Sequence, residues 1–135
     1  MIAPLAKPIK GMHVFTRRKM NRQRLDDAYE IVNQRDGNKS RVTGCTLLAS
    51  SPDSRQRREH NHLRGRNVRP DWKYQPERIH LCSAFEHGFI TSGALQVEGD
   101  DATKRLIFTW DRTRIPIGAE PFQIRSKRRS QRGDL

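Results

Sequence analysis

The sequence predicts a small α+β domain whose centre is a strand, a long loop, a second strand and a helix. The stretch SAFE at residues 83–86 fits a capping box, in which a serine and a glutamate side chain satisfy backbone N–H groups at the helix start, and Gly93 is suited to end that helix. RIHLC at 78–82 alternates as a strand does. Apolar residues from Leu25 to Val32 recur at helical spacing and predict an added helix before this centre.

Composition fits one small domain with basic, flexible termini. Only 33% of the 135 residues are hydrophobic and the mean hydropathy is −0.91, so the core is expected to be modest. We predict a basic N-terminal arm over residues 1–23, where Lys and Arg occur without any acid, a folded domain over 24–112, and a basic C-terminal tail over 113–135.

The elements follow in order along the chain. A helix is predicted at about 25–35, with Asp26 in its first turn and Gly37 ending it in a left-handed conformation. SRVTGCTLLAS at 40–50 is β-like, the polar stretch at 50–58 is typical of a loop, and REHNHLRGR at 58–66 is expected to be carried by a strand.

The second half of the predicted domain begins with a long loop. Residues 64–77 contain two prolines and form that loop, which Trp72 and Tyr74 either anchor on the core or offer to nucleic-acid bases. After the second strand and its helix, alternating residues and the strand formers RLIFTW predict a β-hairpin over about 94–110. The strand–loop–strand–helix centre spans about 57–93.

The charge predicts a polyanionic partner. The formal net charge is +12 and the sequence pI is about 10.8. A polyanion would neutralise this excess of positive charge, so DNA is the expected partner. A membrane is the competing partner, but no run approaches the roughly 18 apolar residues of a spanning helix, and the opening MIAPLAKPIK lacks the apolar region of a signal peptide. We therefore expect a soluble, cytoplasmic protein with no membrane partner, whose two cysteines are reduced thiols.

Histidines occur at both ends of the predicted centre. On a strand, His60 and His62 share one face while Asn61 and Leu63 share the other, and His87 falls one turn into the following helix. Phosphodiester hydrolysis needs a base, a metal ion and cations that hold the strand. His62 suits the base because imidazole titrates near neutrality. The phosphate contacts are expected from arginines, namely Arg57, Arg58, Arg64, Arg66 and Arg69.

Five short motifs together resemble a known family. They are VNQRDG at 32–37, SRVTG at 40–44, NHL at 61–63, LC at 81–82 and the helical His87. In order and spacing, these pieces resemble the HNH endonucleases, which have a ββα-metal core and hydrolyse DNA with a divalent metal ion. The resemblance implies that His62 is the general base and that Asn61 and His87 are metal ligands, with His60 in place of Asn61 if the strand register differs by one. The ion is Mg, Mn, Ni or Zn, since the resemblance leaves its identity open.

The chain departs from the family pattern at three places, one of which is Asn61 itself, a weaker metal ligand than the Asp or His that is usual at that position. The knuckle cysteines are replaced by Ser40 and Thr43, and Cys82 has no CxxC partner, so the structural zinc of many relatives is expected to be absent. The position of the motif Asn before the second strand holds Glu77 or Arg78. Asn67 is a displaced substitute for it.

Each site residue also has a plainer interpretation. His62 and His87 are also compatible with surface or hydrogen-bonded histidines, although the combined pattern favours the functional roles, and Glu59 is compatible with a local charge partner of the arginines. His80 alternates with Ile79 and Leu81, which predicts that it lies on the outward side of its strand. Cys82, like most unpaired cysteines, is expected to be a small buried apolar group.

Two alternative functions follow from these interpretations. One is a catalytically inactive nucleic-acid-binding module of the same fold, which predicts salt-sensitive binding without cleavage. The other is a structural zinc protein in which His60, His62, Cys82 and His87 close one tetrahedral site, which predicts unfolding on chelation.

Overall fold

The part of the chain that the structure describes is a small α+β fold with two α-helices and two small antiparallel sheets. The computed structural model describes residues 7–64, 72–116 and 118. In chain order, the elements are α1 (Val14–Arg35), β1 (Arg58–His62), β2 (Ile79–Ser83), α2 (Ala84–Ser92), β3 (Leu95–Glu98) and β4 (Ile107–Trp110), with short 3-10 turns at Pro76–Arg78 and Arg112–Arg114. Among these described residues, neither helix has the length and apolar character needed to span a membrane.

Helix α1 begins much earlier than its apolar spacing predicts. It starts at Val14 rather than near residue 25, and the Nδ1 atom of His13 caps it by accepting from the N–H of Phe15 at 3.2 Å. Residues 14–23 of the segment predicted as an arm are therefore helical. Sequence periodicity missed them because none of α1's buried residues precedes Ala28, so this half of the helix has no apolar stripe. The predicted end is confirmed, with Gly37 at φ +63° just beyond the helix.

Strands β1 and β2 form the central sheet, as predicted. They pair antiparallel with His60 opposite Leu81, Asn61 opposite His80 and His62 opposite Ile79. One face of this sheet packs on α1 through a core cluster that consists of Ala28, Val32, Leu47, Ile79 and Leu81. This packing fixes the face on which His60 and His62 lie.

The other face of the central sheet is also covered. A second apolar cluster joins the end of β1 to the β3–β4 hairpin, and it consists of Leu63, Trp72, Ala102 and Leu106 with Val97 and Phe108 packed against them. The prediction that His80 points outward is therefore wrong. His80 is fully buried, with its ring 5.4 Å from the Phe108 ring centroid, because the hairpin lies over the face that strand alternation had assigned to solvent.

The segment at 40–50 is a turn rather than a strand. Its β pairing within the described residues is limited to two isolated bridges, Lys39 to Thr46 and Leu48 to Arg57. The Ser40 hydroxyl accepts from the N–H groups of Val42 and Thr43 at 3.0 and 3.2 Å, which closes the turn locally. Backbone bonds that would form a strand ladder are thus used within the turn.

Ser40 also ties this turn to helix α2. Its hydroxyl donates to the Glu86 carboxylate at 2.7 Å, and both residues are buried. Glu86 completes the predicted capping box, since it accepts from the N–H of Ser83 at 2.8 Å while the Ser83 side chain accepts from the N–H of Glu86 at 3.1 Å. This hydrogen bond therefore joins the turn at Ser40 to the first turn of α2.

A buried carboxylate joins the end of α1 to β2. Asp36 accepts from Arg35 at 2.8 Å, from Arg41 at 3.1 Å and from the backbone N–H of Leu81 at 3.0 Å. Burial alone would raise the pKa of Asp36, but the hydrogen bonds from Arg35 and Leu81 and the two guanidinium charges hold it below its usual range. The strand that faces His60 and Asn61 is thus fixed against α1.

Candidate functional site

A cleft of about 1170 Å³ lies between β1, α1, α2 and β3. All four histidine and asparagine residues predicted for the site, His60, Asn61, His62 and His87, line it. Tyr29 from α1 lines the same cleft. The histidines of β1 and the helical His87, which are up to 27 positions apart in the sequence, therefore line one cleft. The hydrogen-bond partners of each side chain determine which chemistry the cleft can support.

His62 is held by a tyrosine. Its Nε2 atom lies 2.8 Å from the Tyr29 hydroxyl, and the two rings meet edge to face at a centroid distance of 5.7 Å. Tyr29 lies within the run from Leu25 to Val32, whose helical spacing of apolar residues is typical of core positions. A tyrosine at such a position buries its ring and places its hydroxyl at the margin of the core, where it reaches a polar partner.

His60 is held by α1. Its ring stacks on the ring of Tyr29 at a centroid distance of 3.9 Å, and its Nε2 donates to the Asn33 side-chain oxygen at 2.7 Å. Burial, with the Arg58 charge as a further cause, lowers the pKa of His60 to about 4. His60 is therefore a neutral imidazole at physiological pH whose Nε2 is engaged by the helix.

Asn61 points to the opposite side of β1 from His60. Its side-chain nitrogen lies 3.0 Å from Nε2 of His80, whose Nδ1 lies 3.2 Å from the carbonyl of Leu81. Because a carbonyl only accepts, His80 carries its proton on Nδ1, and Nε2 accepts from the amide of Asn61. Burial lowers the pKa of His80 to about 4, which agrees with a neutral ring. Any ligand role of Asn61 thus falls to its amide oxygen.

His87 forms a carboxylate–histidine pair with Glu59. Nδ1 of His87 lies 2.6 Å from a Glu59 carboxylate oxygen, and both side chains are about one-third exposed. The sequence interpretation of Glu59 as a charge partner of arginines had missed this contact. A carboxylate on Nδ1 fixes the ring and directs the Nε2 lone pair outward, as in metal sites where a carboxylate orients the ligating histidine.

The strand register favours Asn61 over His60 as the partner of His87. Glu59 and Asn61 are two apart on β1 and so share one face, and Glu59 already contacts His87. An amide oxygen and an imidazole nitrogen form a mixed, neutral ligand pair, which suits a divalent ion that keeps several waters. Within the described ranges, no group of three or more His, Cys, Asp or Glu residues is arranged to hold a metal.

The four residues of the structural zinc alternative do not form one cluster. His60 faces α1, whereas Cys82 follows Leu81 on β2 and so lies on the opposite face of the sheet. Burial, with Glu86 and Glu59 as further causes, raises the pKa of the Cys82 thiol. A thiolate is the form that binds zinc, so this environment opposes such a site.

The predicted phosphate-binding arginines have different surroundings. Arg64, at φ +62°, is exposed and lines the cleft. Arg57 donates to a backbone carbonyl of the preceding loop at 3.1 Å, and Arg58 to an asparagine side chain at 2.7 Å. Arg66 and Arg69 lie outside the described residues, as does Asn67. Of the set, Arg64 is the one that the described structure brings to the cleft.

Arg78 occupies the region of the missing motif Asn. Its guanidinium lies over the Trp72 ring, 4.1 Å from the centroid, and donates to the carbonyl of Asp100. The neighbouring Glu77 carbonyl accepts from the N–H of Ala102 at 2.6 Å. These contacts join the end of the long loop to the hairpin and identify Trp72 as an anchor on the core.

Comparisons with protein-family models, with curated proteins and with solved structures find no match for this chain.

Proposed function

We propose that this protein is an endonuclease that hydrolyses DNA phosphodiester bonds with a divalent metal ion. The observation that carries the proposal is the convergence of His62, Asn61 and the Glu59–His87 pair on one cleft. The order strand, strand, helix around that cleft supports the ββα-metal core that the HNH resemblance implies. The charge of +12 supports a polyanionic substrate.

His62 is the general base of the proposed reaction. Nδ1 of His62 is buried, so the acceptor is Nε2, which lies 2.8 Å from the Tyr29 hydroxyl and takes a proton from water as the water oxygen attacks phosphorus. The bond between phosphorus and the 3′ oxygen breaks, and the leaving oxygen takes up a proton from solvent water to give a 3′-hydroxyl and a 5′-phosphate. Tyr29 stabilises the imidazolium that His62 becomes in this step.

Asn61 and His87 are the proposed ligands of the metal ion, through the amide oxygen and Nε2 respectively. A bound divalent ion supplies positive charge that stabilises the phosphate and the leaving oxygen. Glu59 orients His87 and strengthens it as a donor, and His80 sets the orientation of the Asn61 amide. Arg64, which lines the cleft, is the proposed phosphate contact.

An inactive nucleic-acid-binding module is the second candidate. The observation in its favour is that the described residues contain no cluster of three or more His, Cys, Asp or Glu metal ligands. It has the same charge and the same cleft, but it predicts binding of DNA without hydrolysis.

Incubation of supercoiled plasmid with the purified protein separates the two candidates. The reaction is run with each of Mg²⁺, Mn²⁺, Ni²⁺ and Zn²⁺ and with EDTA. We expect conversion to nicked plasmid with at least one ion and none with EDTA. Retarded plasmid that stays supercoiled with every ion would reject the endonuclease and leave the binding module.

A further inference from the structure

The N-terminal half of α1 carries positive side chains that form no ion pair with an acidic side chain of the described residues. Residues 14–24 contain no buried side chain, although they are helical. Arg17, Arg18, Lys19 and Arg22 are all exposed, and none forms an ion pair with an acid of the described residues. This half of the helix therefore extends beyond the packed core as a cationic rod.

The sequence of this rod is unlike an ordinary solvated helix face. Solvated helix faces usually alternate charges of opposite sign, which stabilises the helix through pairs four residues apart. Here the first acid of the chain is Asp26, and Arg18 and Arg22 form a like-charge pair at that spacing. Repulsion within such a pair destabilises the helix when no ligand is bound, and a polyanion lying along the rod would relieve that repulsion.

The rod continues directly from the cleft. Tyr29, which contacts His62 and lines the cleft, is part of the same helix. At about 1.5 Å per residue, Arg22 lies about 10 Å and Arg18 about 16 Å along the helix axis from Tyr29. Those distances correspond to about three to five base pairs of duplex DNA, whose phosphates repeat every 3.4 Å along each strand.

The side chains of the rod favour nucleic acid over a membrane. A helix that lies on a membrane needs its apolar residues on one face. At 100° per residue, Val14, Phe15 and Met20 point in three different directions, and the cations spread over about 220° of the circumference, so no apolar face is separated from a basic one.

We infer that residues 14–24 form a second DNA-binding surface, which holds the phosphate backbone of duplex DNA several base pairs away from the cleft. The inference shares with the proposed function the assumption that DNA is the ligand, but it does not require cleavage. The cations position the duplex without reading its bases, because phosphate contacts carry no direct sequence information.

The test compares two variants of equal charge in a binding assay. One carries R17Q, R18Q, K19Q and R22Q, and the control carries K39Q, K104Q, R105Q and R112Q at exposed positions outside the rod. Fluorescence anisotropy with a labelled DNA duplex of roughly two helical turns is measured in EDTA over a range of salt concentrations, so that hydrolysis does not interfere.

We expect the rod variant to lose at least about tenfold in affinity and its salt slope to become shallower by about three to four, or nearly one for each lost phosphate contact. The control should change the slope by no more than about one. Equal losses in both variants, or no loss in the rod variant, would overturn the inference. Loss of binding to phosphatidylserine vesicles with unchanged binding to DNA would overturn it in favour of a membrane.

A second variant covers the case in which four substitutions unfold the rod. R18A with R22A introduces alanine, the best helix former, and circular dichroism checks the helix content. Its slope should fall by about two. Plasmid nicking by either variant at saturating DNA separates the two proposals. If the wild type nicks plasmid and the rod variant binds DNA as tightly as the wild type, only the inference is rejected. If the rod variant shows the expected loss of affinity but the wild type does not nick plasmid, only the endonuclease is rejected.

Discussion

Replacement of Tyr29 by phenylalanine removes one oxygen and tests whether the tyrosine assists the base. The ring that stacks on His60 is retained, while the hydroxyl that lies 2.8 Å from Nε2 of His62 is lost. A hydrogen bond to a neutral group contributes about 0.5–1.5 kcal/mol and one to a charged group about 1.5–3 kcal/mol. His62 is neutral before the reaction and cationic once it has taken the proton from water.

The hydroxyl therefore stabilises the transition state by about 1–1.5 kcal/mol more than the ground state, as the difference between those two ranges. The expected result is a nicking rate that is roughly 5- to 15-fold lower with unchanged DNA affinity. This loss appears in kcat because the contact strengthens only as charge develops on the imidazole.

The assay is single-turnover plasmid nicking at saturating protein, with DNA affinity measured separately. Tyr74→Phe is the matched control, since Tyr74 packs its ring beneath Arg24 rather than against a histidine of the cleft. A Tyr29→Phe variant that is folded and nicks at the wild-type rate would refute the reasoning. A loss confined to DNA affinity would refute it equally.

Three further predictions concern the surroundings of the site. Ser40→Ala removes a buried hydrogen bond to Glu86 and should lower the free energy of unfolding in urea by about 1.5–3 kcal/mol, whereas EDTA should leave the protein folded; unfolding on chelation would restore the structural zinc. Glu59→Gln should raise the Mn²⁺ concentration for half-maximal nicking by about 10- to 100-fold, and an unchanged requirement would contradict the orienting role. Burial lowers the pKa of His80 in the folded state to about 4, so the stabilisation from its buried neutral ring is present above pH 6.5 and is lost as the pH falls toward 4. The His80→Leu variant should therefore show a smaller difference between its urea midpoints at pH 7 and pH 4.5 than the wild type shows, and an unchanged difference would contradict this.

The central elements could be predicted because their signals are local. The capping box at Ser83 and Glu86 and the left-handed Gly93 depend on short-range backbone chemistry, and both occur as predicted. The alternation of β1 likewise placed His60 and His62 on one face. Strand pairing then required only that two short strands flank a loop.

The failures arose where long-range packing decides the outcome. Nothing in the sequence near His80 shows that a hairpin from the end of the domain covers it. Residues 14–24 are helical but have no periodic apolar residues from which a helix could be predicted. The segment at Ser40 forms a turn because its hydroxyl accepts from backbone N–H groups that a strand would offer to a neighbouring strand.

The site residues that sequence reasoning missed have the same origin. Tyr29 and Glu59 act through partners 33 and 28 positions away, His62 and His87. In the sequence, Tyr29 has the spacing of a core residue and Glu59 lies beside arginines, so a core position and a local ion pair are the simplest interpretations. Their pairing with histidines follows only from the register of β1 and from the way α1 and α2 pack around it.

The most direct measurement is the nicking rate of His62→Ala with the plasmid fully bound, in the metal ion that supports the fastest wild-type reaction. His13→Ala is the control, because His13 is exposed and caps α1 outside the cleft. A general base contributes about 10²- to 10⁴-fold, so the account predicts that His62→Ala loses at least about 100-fold while His13→Ala keeps the wild-type rate. A folded His62→Ala variant that nicks within about threefold of the wild type would contradict the proposed chemistry.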